Sequence, residues 1–311
     1  MKIVKPDFYD RFACIADRCR HSCCIGWEID VDEESLAYYQ RIPGEMGQLL
    51  QKQICPGEQP HFCLGEGDRC PFLEKDGLCK LIKELGEESL CDICREHPRF
   101  YNCFEEREEW GLGLCCEEVV RLLLEGEEPL RFLEEGEEAY TEEVFHKRQE
   151  LLEILSCRDE PLPRRFQRAM AALGEELPEL SLSHWADLFL GLERMDERWT
   201  GMLLLLKERG EGLDLTPALS ENRYERLCCY LLYRHFASWD DAPGILGFCI
   251  LACRMIAALD LLEGPDGEHI RLFSSEIEYS DENIPLILEE MSRKQEERLA
   301  TGAVDMVKYH G

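Results

Sequence analysis

The chain has 311 residues, of which 45% are hydrophobic, and it carries a formal net charge of −30 from 65 acidic and 35 basic residues. A chain of this length can bury a large core and can hold two domains. The excess of acids argues against a nucleic-acid partner and against an anionic membrane surface, because both require clustered lysine and arginine. A polycationic or lysine-bearing partner suits this charge better, although a solvated acidic surface is the commoner cause of such an excess.

Hydropathy predicts a soluble, cytoplasmic protein that does not enter a membrane. Residues 1–7 contain charges and a proline where a signal peptide needs an apolar run. The longest uncharged stretch near the C-terminus, residues 242–253, covers 12 residues, whereas a transmembrane helix needs about 20. In the reducing cytoplasm, we expect a dense set of cysteines to serve as ligands more often than as disulfides.

The first 143 residues are predicted to form short elements joined by many turns. Little apolar material is available here for a core, which is typical of a module held together by ligands. The predicted elements are an extended segment at 27–32, a short helix starting at 32–35, a loop at 55–70, a hairpin turned at 75–77 within 70–79, helices at 79–85 and 87–95, and helices with acidic faces within 117–143 that break at 125–126 and Pro129.

From residue 142 onward the pattern is helical throughout, with apolar residues at three- and four-residue steps. Serines precede three of the candidate helices and predict N-caps at Ser183, Ser220 and Ser280. No long alternating run of β-branched residues is present. The candidate helices are 142–156, 164–174, 184–209, 221–237, 243–262 and 281–300.

The predicted fold is therefore mainly α-helical. An irregular cysteine-rich module that binds a metal or a cluster covers residues 1–120. It is expected to pack on a multi-helix domain that covers residues 121–311.

The cysteines are concentrated at one end of the chain. Thirteen of the 18 lie before residue 117. A disulfide framework, a metal or iron–sulfur site, and a chance excess of small buried residues could each cause this, and we favour the metal or cluster. Thiolates are donors for iron–sulfur clusters, Zn²⁺ and Cu(I). Spacing alone leaves cluster and zinc open, because it matches neither the ferredoxin pattern nor the paired C-x2-C of zinc ribbons. The later cysteines, Cys228, Cys229, Cys249 and Cys253, are expected to pack in the core.

Five motifs together resemble the flagellin lysine N-methylase family, and the first part of the chain is also similar to cysteine-rich zinc- or iron-chelating proteins. The motifs are C-x4-C-x3-CC-x2-W-x-I-D from Cys14 to Asp30, the CPFL and LC pair from Cys70 to Cys79, LGEE-x-L from Leu85 to Leu90, C-x3-PR from Cys94 to Arg99, and L-x-L-C-x-E from Leu112 to Glu117.

The resemblance implies transfer of a methyl group from S-adenosylmethionine to lysine side chains of flagellin, by an enzyme with a cysteine-ligated [4Fe-4S] cluster, or zinc as the alternative metal. Cys55, Cys63, Cys91, Cys103 and Cys116 fall outside the family pattern, and His97 is a weaker candidate ligand. The cysteines matched to the family, and hence the predicted metal ligands, are Cys14, Cys19, Cys23, Cys24, Cys70, Cys79, Cys94 and Cys115.

Catalytic residues are not identified by the sequence. Glu28, Asp30 and Tyr38 could accept a proton from the substrate lysine, but each is expected to be an ordinary surface group. No G-x-G-x-x-G stands between a strand and a helix, so a Rossmann methyltransferase is not expected. The alternative function is a zinc- or iron-chelating binding module without methyltransferase activity.

Overall fold

A computed structural model describes residues 1–177 and 179–308, with side chains up to residue 297. Within these residues the fold is mainly α-helical, as predicted. The α-helices are α1 Glu33–Tyr39, α2 Gly44–Gln53, α3 Lys80–Leu85, α4 Asp92–Glu96, α5 Glu117–Leu124, α6 Glu143–Ser156, α7 Leu162–Ala172, α8 Leu182–Gly191, α9 Glu197–Arg209, α10 Thr216–Leu219, α11 Asn222–His235, α12 Ala242–Glu263, α13 Glu268–Phe273 and α14 Asn283–Lys308.

A four-stranded sheet, which the sequence did not predict, lies beside these helices. Its strands stand in the order β4-β5-β1-β6. β1 runs parallel to β5 and antiparallel to β6, and β4 is antiparallel to β5. A separate two-stranded hairpin pairs β2 with β3. The strands are β1 Lys2–Pro6, β2 Ile54–Cys55, β3 His61–Phe62, β4 Arg99–Cys103, β5 Arg107–Leu112 and β6 Phe132–Gly136.

The prediction of helices throughout 117–143 is right for α5 and wrong for β6. The glutamates of β6 lie beside lysines of β1: Lys2 pairs with Glu134 at 2.9 Å, and Lys5 pairs with Glu135 at 2.8 Å. These cross-strand ion pairs hold an acidic segment in a sheet. Because β1 and β6 lie on opposite sides of the predicted boundary at 120/121, the sheet draws on both predicted domains, and the two-domain division stays a prediction.

The large core is built around α12, which packs against α10, α11, α13 and α14. α12 is long and apolar enough to cross a membrane by length and composition, but 83% of its most apolar window is buried inside the protein. That burial is what the central helix of a folded core shows. Cys228, Cys229, Cys249 and Cys253 are fully buried in this core, which confirms that they serve packing.

The predicted helix 184–209 is two helices, α8 and α9, with a break between them. The Arg194 guanidinium donates to the carbonyls of Phe189, Leu190 and Leu192 at the end of α8. Glu276 accepts the backbone N–H groups of Met195 and Asp196, at 2.7 and 3.1 Å, just before α9. Both helix ends are therefore satisfied by side chains.

Among the described contacts, none of the three serines predicted as N-caps accepts a hydrogen bond from the first turn of its helix. Ser181, rather than Ser183, accepts a backbone hydrogen bond at the start of α8. The cap position of α11 is Glu221 rather than Ser220, and its side chain makes no capping bond. The Ser280 hydroxyl donates to Glu193 at 3.2 Å.

The cysteine-rich part of the chain has a small core of its own. The helix predicted to start at 32–35 is α1, and Asp32 caps it by accepting the Ser35 N–H at 2.8 Å; its other oxygen accepts the Asp92 N–H at 2.9 Å. The Tyr39 hydroxyl donates to the Ser89 carbonyl at 2.7 Å. These bonds hold α1 against the start of α4. The small core consists of Ile29, Val31, Tyr39, Leu50, Phe62, Cys70, Phe72, Leu73, Leu81 and Cys91.

The segment 55–70, predicted as a loop, contains the β2–β3 hairpin, and a Cys55–Cys63 disulfide closes it. This pair departs from the expectation that cysteines here act as ligands rather than disulfides; both residues lie outside the predicted ligand set. The predicted hairpin at 70–79 is confirmed, since Leu73 pairs with Cys79 and Gly77 turns the chain at φ +81°. A left-handed φ of this kind favours glycine.

Candidate metal centre

Five cysteines line one side of the small core, and we call them the inner thiol group: Cys24, Cys70, Cys79, Cys91 and Cys94. The chain brings three separate segments to this point. The Cys70 N–H donates to the Cys24 carbonyl at 2.8 Å. Cys79 stands directly before α3, and Cys91 directly before α4. Turns and helix starts therefore supply these sulfurs, as they commonly do for iron–sulfur clusters.

The charges of these sulfurs act on one another. The pKa of Cys70 is raised to about 12, first by burial and then by the nearby sulfurs of Cys24 and Cys79. The pKa of Cys79 is also raised, by burial and by the sulfurs of Cys24 and Cys91. Closely placed thiols that oppose each other's ionisation need a cation before several can be thiolates together.

Cys91 and Cys94 share a hydrogen bond between their sulfurs. The bond lowers the pKa of Cys91, the acceptor, and raises the pKa of Cys94, the donor. Cys24 and Cys23 form a second pair of this kind. The pKa of Cys24 falls to about 6 because its thiolate accepts a hydrogen bond from the Cys23 thiol and lies near Arg69, and the same bond raises the pKa of Cys23. In each pair the two thiols therefore shift each other's pKa in opposite directions.

Backbone N–H groups point at the sulfurs of the inner thiol group. Cys70 accepts from Phe72 and Leu73, and Cys79 accepts from Leu81 and Ile82, which lowers the pKa of each thiol against the effect of burial. Hydrogen bonds of this kind stabilise thiolates and tune clusters that thiolates hold. The inner thiol group thus combines buried sulfurs with N–H donors, which is the chemistry of thiolate ligands.

A second set of sulfurs, the outer thiol group, consists of Cys14, Cys19, Cys23 and Cys116. The pKa of Cys19 is raised to about 11 by burial first, and by Glu117, Cys116 and Cys14. The pKa of Cys116 is raised to about 11 by burial, and by Cys115 and Cys14. Because Cys23 interacts with both Cys24 and Cys14, it connects the outer thiol group to the inner one.

A groove of about 330 Å³ lies beside the outer thiol group. Arg20 and Glu117 are the direct sequence neighbours of Cys19 and Cys116, and both line the groove. Glu268, on its opposite wall, pairs with His21 at 3.1 Å and with Arg198 at 2.9 Å. The lining alternates acids with arginines: Arg20, Glu117, Arg121, Glu125, Asp266, Glu268 and Arg271, with the apolar Val120, Leu124 and Gly267.

Cys115 acts on its neighbour Cys116, but its own sulfur lies against α11 and the segment after α13. Burial raises the pKa of the Cys115 thiol, and a hydrogen bond with Tyr279 and the charge of Arg234 lower it. Gly113 makes room for this contact, because a Cβ there would lie 1.9 Å from the Tyr279 hydroxyl. The Arg234 guanidinium is stacked between the rings of Phe100 and Tyr279.

Within the described residues, no three His, Cys, Asp or Glu side chains are close enough together to hold a single metal ion. The predicted ligand set of eight cysteines therefore stays a prediction. The structure divides it: Cys24, Cys70, Cys79 and Cys94 fall in the inner thiol group, Cys14, Cys19 and Cys23 in the outer one, and Cys115 in neither.

Two cysteines outside the predicted ligand set belong to the thiol groups in the structure. Cys91 is fully buried and joins the inner thiol group, and Cys116 joins the outer one. The signal that could have identified Cys91 is its C-x2-C spacing to Cys94. Cys116 has a weaker signal, its place immediately before a helix that begins with two glutamates.

The weaker candidates lie at the edge of this region. His97 packs on the Trp27 ring with centroids 5.7 Å apart, and burial lowers its pKa to about 4. Glu28 is largely exposed and lies 3.4 Å from His61. Tyr38 is 38% exposed. The positions of Glu28 and Tyr38 are those of surface groups.

Comparison with known proteins finds relatives over 130 residues, which are 39% of this chain. It is 29% identical there to Lysine-N-methylase of Salmonella typhimurium (strain LT2) and 28% identical to Lysine-N-methylase of Salmonella choleraesuis. The match covers 32% of each of those proteins, so the chain spans about a third of their length. It is also 28% identical to Flagellar biosynthetic protein FliU of Salmonella muenchen, over 76% of that protein.

No family model matches the sequence, and no solved structure matches the chain. The curated relatives nevertheless confirm the resemblance to the flagellin lysine N-methylase family over the matched segment.

Proposed function

We propose that this protein is a protein-lysine N-methyltransferase that acts on flagellin and uses S-adenosylmethionine as the methyl donor, with a cysteine-ligated [4Fe-4S] cluster. The observation that carries the proposal is the similarity to proteins named Lysine-N-methylase. The FliU relative, named as a flagellar biosynthetic protein, supports flagellin as the substrate.

The inner thiol group is the best candidate holder of the cluster. Cys24, Cys70, Cys79 and Cys94 belong to both this group and the family pattern, and Cys91 lies beside them. Four thiolates are the number that a [4Fe-4S] cluster takes, and zinc would accept the same donors. When bound, a cluster would cross-link the three segments that carry these cysteines, since in-line methyl transfer to nitrogen needs no electron from it. The backbone N–H groups at Cys70 and Cys79 would keep the sulfurs ionised and oriented.

The groove beside the outer thiol group is the candidate site for S-adenosylmethionine. Its volume of about 330 Å³ lies within the usual size of small-molecule sites. The methyl donor carries an amino group, a carboxylate and a sulfonium, and the groove offers partners for both signs of charge. Glu125 and Asp266 suit the cations, and Arg20 and Arg271 suit the carboxylate.

Methyl transfer to lysine makes two further demands on the protein. A lysine ammonium must lose a proton before its nitrogen can accept a methyl group, which desolvation and nearby acceptors favour. The nitrogen and the methyl group must then be held in line. The glutamates of the groove wall, Glu117 and Glu268, supply carboxylates next to the outer thiol group.

The proposal locates the reaction in the cytoplasm, where flagellin is found before export. The net charge of −30 would raise the local concentration of lysine-bearing segments through a field that salt weakens. The predicted absence of nucleic-acid and membrane partners agrees with this location.

The decisive experiment incubates anaerobically purified protein with S-adenosylmethionine and flagellin from the same source. We expect flagellin to gain mass in steps of one methyl group, confined to lysines. Protein carrying Cys70→Ser and Cys94→Ser should lose iron and sulfide and should lose activity with them. If flagellin gains no mass while iron and sulfide are retained, the proposed activity is wrong. If methylation persists after the cluster is lost, the cluster is not part of the reaction.

The second candidate function is a zinc- or iron-chelating module without methyltransferase activity. The division of the cysteines into two thiol groups favours it, since chelation needs no donor site and no substrate site. A colourless protein with stoichiometric zinc, unable to methylate flagellin, would support this alternative.

A further inference from the structure

Two neighbouring strands of the four-stranded sheet carry large aromatic side chains that face each other. Tyr101 of β4 and Trp110 of β5 are direct cross-strand partners. Their rings meet edge to face, with centroids 5.7 Å apart and planes at 89°. Tyr101 is 43% exposed, and Trp110 is half-buried. We call this pair the aromatic corner, because perpendicular rings present two faces to one space.

A buried tyrosine backs the aromatic corner. Tyr9, which follows β1, packs on Trp110 with ring centroids 5.8 Å apart, and it is 7% exposed. The chain between Tyr9 and Cys14 leads to the outer thiol group, and the chain between Tyr101 and Cys94 leads to the inner one. Of the corner itself, Tyr101 follows Cys94 of the inner thiol group, and Trp110 precedes Cys116 of the outer one, so both strands connect to the thiol groups.

Each side chain of the aromatic corner donates a hydrogen bond to a carboxylate. The Tyr101 hydroxyl donates to Glu96 at 2.7 Å, and the Trp110 indole N–H donates to Glu108 at 3.1 Å. Glu96 also lies 3.7 Å from the Arg95 guanidinium, and each carboxylate keeps further lone pairs that these contacts do not use. Two aromatic faces and two oriented carboxylates at one surface form an environment that attracts a cation and repels an anion.

A cation of the protein already occupies a neighbouring ring. The Arg99 guanidinium lies 5.3 Å from the centroid of Phe12. Among the described residues, however, no lysine or arginine lies over the ring of Tyr101 or Trp110. Tyr101 therefore offers an exposed ring to a cation from another molecule, with the half-buried Trp110 beside it.

We infer that the aromatic corner binds the ammonium head group of a lysine side chain, free or methylated, on the substrate protein. This inference rests on the proposed function, which supplies lysine as the cation. Charge complementarity favours this occupant, since both oriented groups are carboxylates and the whole chain carries −30. Methylation keeps the positive charge of lysine, and aromatic faces bind methylated ammonium groups well.

The test compares two peptides of the same shape. One carries a single trimethyllysine, and the other carries its neutral analogue, with a tert-butyl group in place of the trimethylammonium group. Isothermal titration calorimetry on the full chain should show tighter binding of the charged peptide, by about two- to fivefold for a half-exposed ring. Equal binding of the two peptides would overturn the inference.

Three variants test whether the Tyr101 ring causes the preference for the charged peptide. Tyr101→Ala should bring the ratio of the two dissociation constants close to one, whereas Tyr101→Phe keeps the ring and should keep the preference for charge. Tyr140→Ala removes a tyrosine that is 72% exposed elsewhere and should leave the ratio unchanged. An unchanged ratio in Tyr101→Ala, or a ratio lost equally in Tyr140→Ala, would overturn the inference.

The same variants separate this inference from the proposed function. If flagellin is methylated and Tyr101→Ala leaves the KM for flagellin unchanged, the aromatic corner is not a lysine site, although the activity stands. If no methylation occurs but the charged peptide is preferred through Tyr101, the aromatic corner is a lysine site of a protein with another activity.

Discussion

At the scale of single residues, the cysteines of this chain differ mainly in their surroundings. Cys70 and Cys91 are buried, whereas Cys14 and Cys103 are exposed. Burial alone disfavours the thiolate, and backbone N–H groups and shared protons favour it. Both effects meet in the inner thiol group, whereas burial is the main influence on a core cysteine such as Cys249.

Cys91 gives the sharpest test of that distinction. We expect Cys91→Ser to lower the affinity for iron or zinc by at least about tenfold, because even groups that only support metal ligands contribute about 10- to 100-fold. Cys103→Ser is the matched control, since Cys103 is an exposed cysteine on β4. The measurement is the metal and sulfide content of anaerobically purified protein. Equal contents in the two variants would remove Cys91 from the site.

The family pattern identified seven of the nine cysteines that form the two thiol groups. It missed Cys91 and Cys116 and included Cys115, whose sulfur contacts Tyr279 instead. Motif spacing describes neighbours along the chain, whereas the grouping depends on contacts such as the hydrogen bond from Cys70 to Cys24, 46 positions apart in the sequence. The sequence could therefore predict which part of the chain gathers cysteines but not how their sulfurs divide into groups, and the metal centre itself stays a prediction.

At the scale of elements, long helices were predictable and short strands were not. The predicted helices 142–156 and 243–262 agree closely with α6 and α12, because their apolar pattern is sustained over several turns. β1, β4, β5 and β6 have five or six residues each. Their pairing depends on ion pairs and tyrosine bonds with distant residues, such as the Tyr230 hydroxyl that donates to the Leu112 carbonyl at 2.6 Å.

The burial of α12 in the large core can be tested with two leucines of that helix, one buried and one exposed. Leu251 is fully buried and Leu261 is 44% exposed, on the same helix. Leu251→Ala should lower the free energy of unfolding by about 2–5 kcal/mol, because it leaves a cavity in the large core. Leu261→Ala should cost less than about 1 kcal/mol. Urea unfolding of both variants provides the measurement, and similar losses would mean that α12 is not the core helix described here.

At the scale of the whole molecule, two separate apolar cores underlie the architecture. The large core surrounds α12, and the small core lies beneath the inner thiol group. The small core consists of ten residues and is reinforced by the Cys55–Cys63 disulfide. So small a core gives limited stability without a staple or a bound metal. We therefore expect the small core and the metal to depend on each other.

Phe72 allows that dependence to be measured. It is 1% exposed and meets the Phe62 ring edge to face at 4.9 Å. Phe72→Ala should cost about 3–5 kcal/mol, and we expect the loss to appear as local opening. Hydrogen exchange should quicken between residues 24 and 94, while α12 stays protected and the metal content falls. Leu251→Ala, the matched variant of the large core, should instead weaken the protection of α12 and leave the metal content unchanged. If Phe72→Ala quickens exchange equally in both regions, the two cores unfold as one unit. A bound metal would then not stabilise the small core separately from the large one.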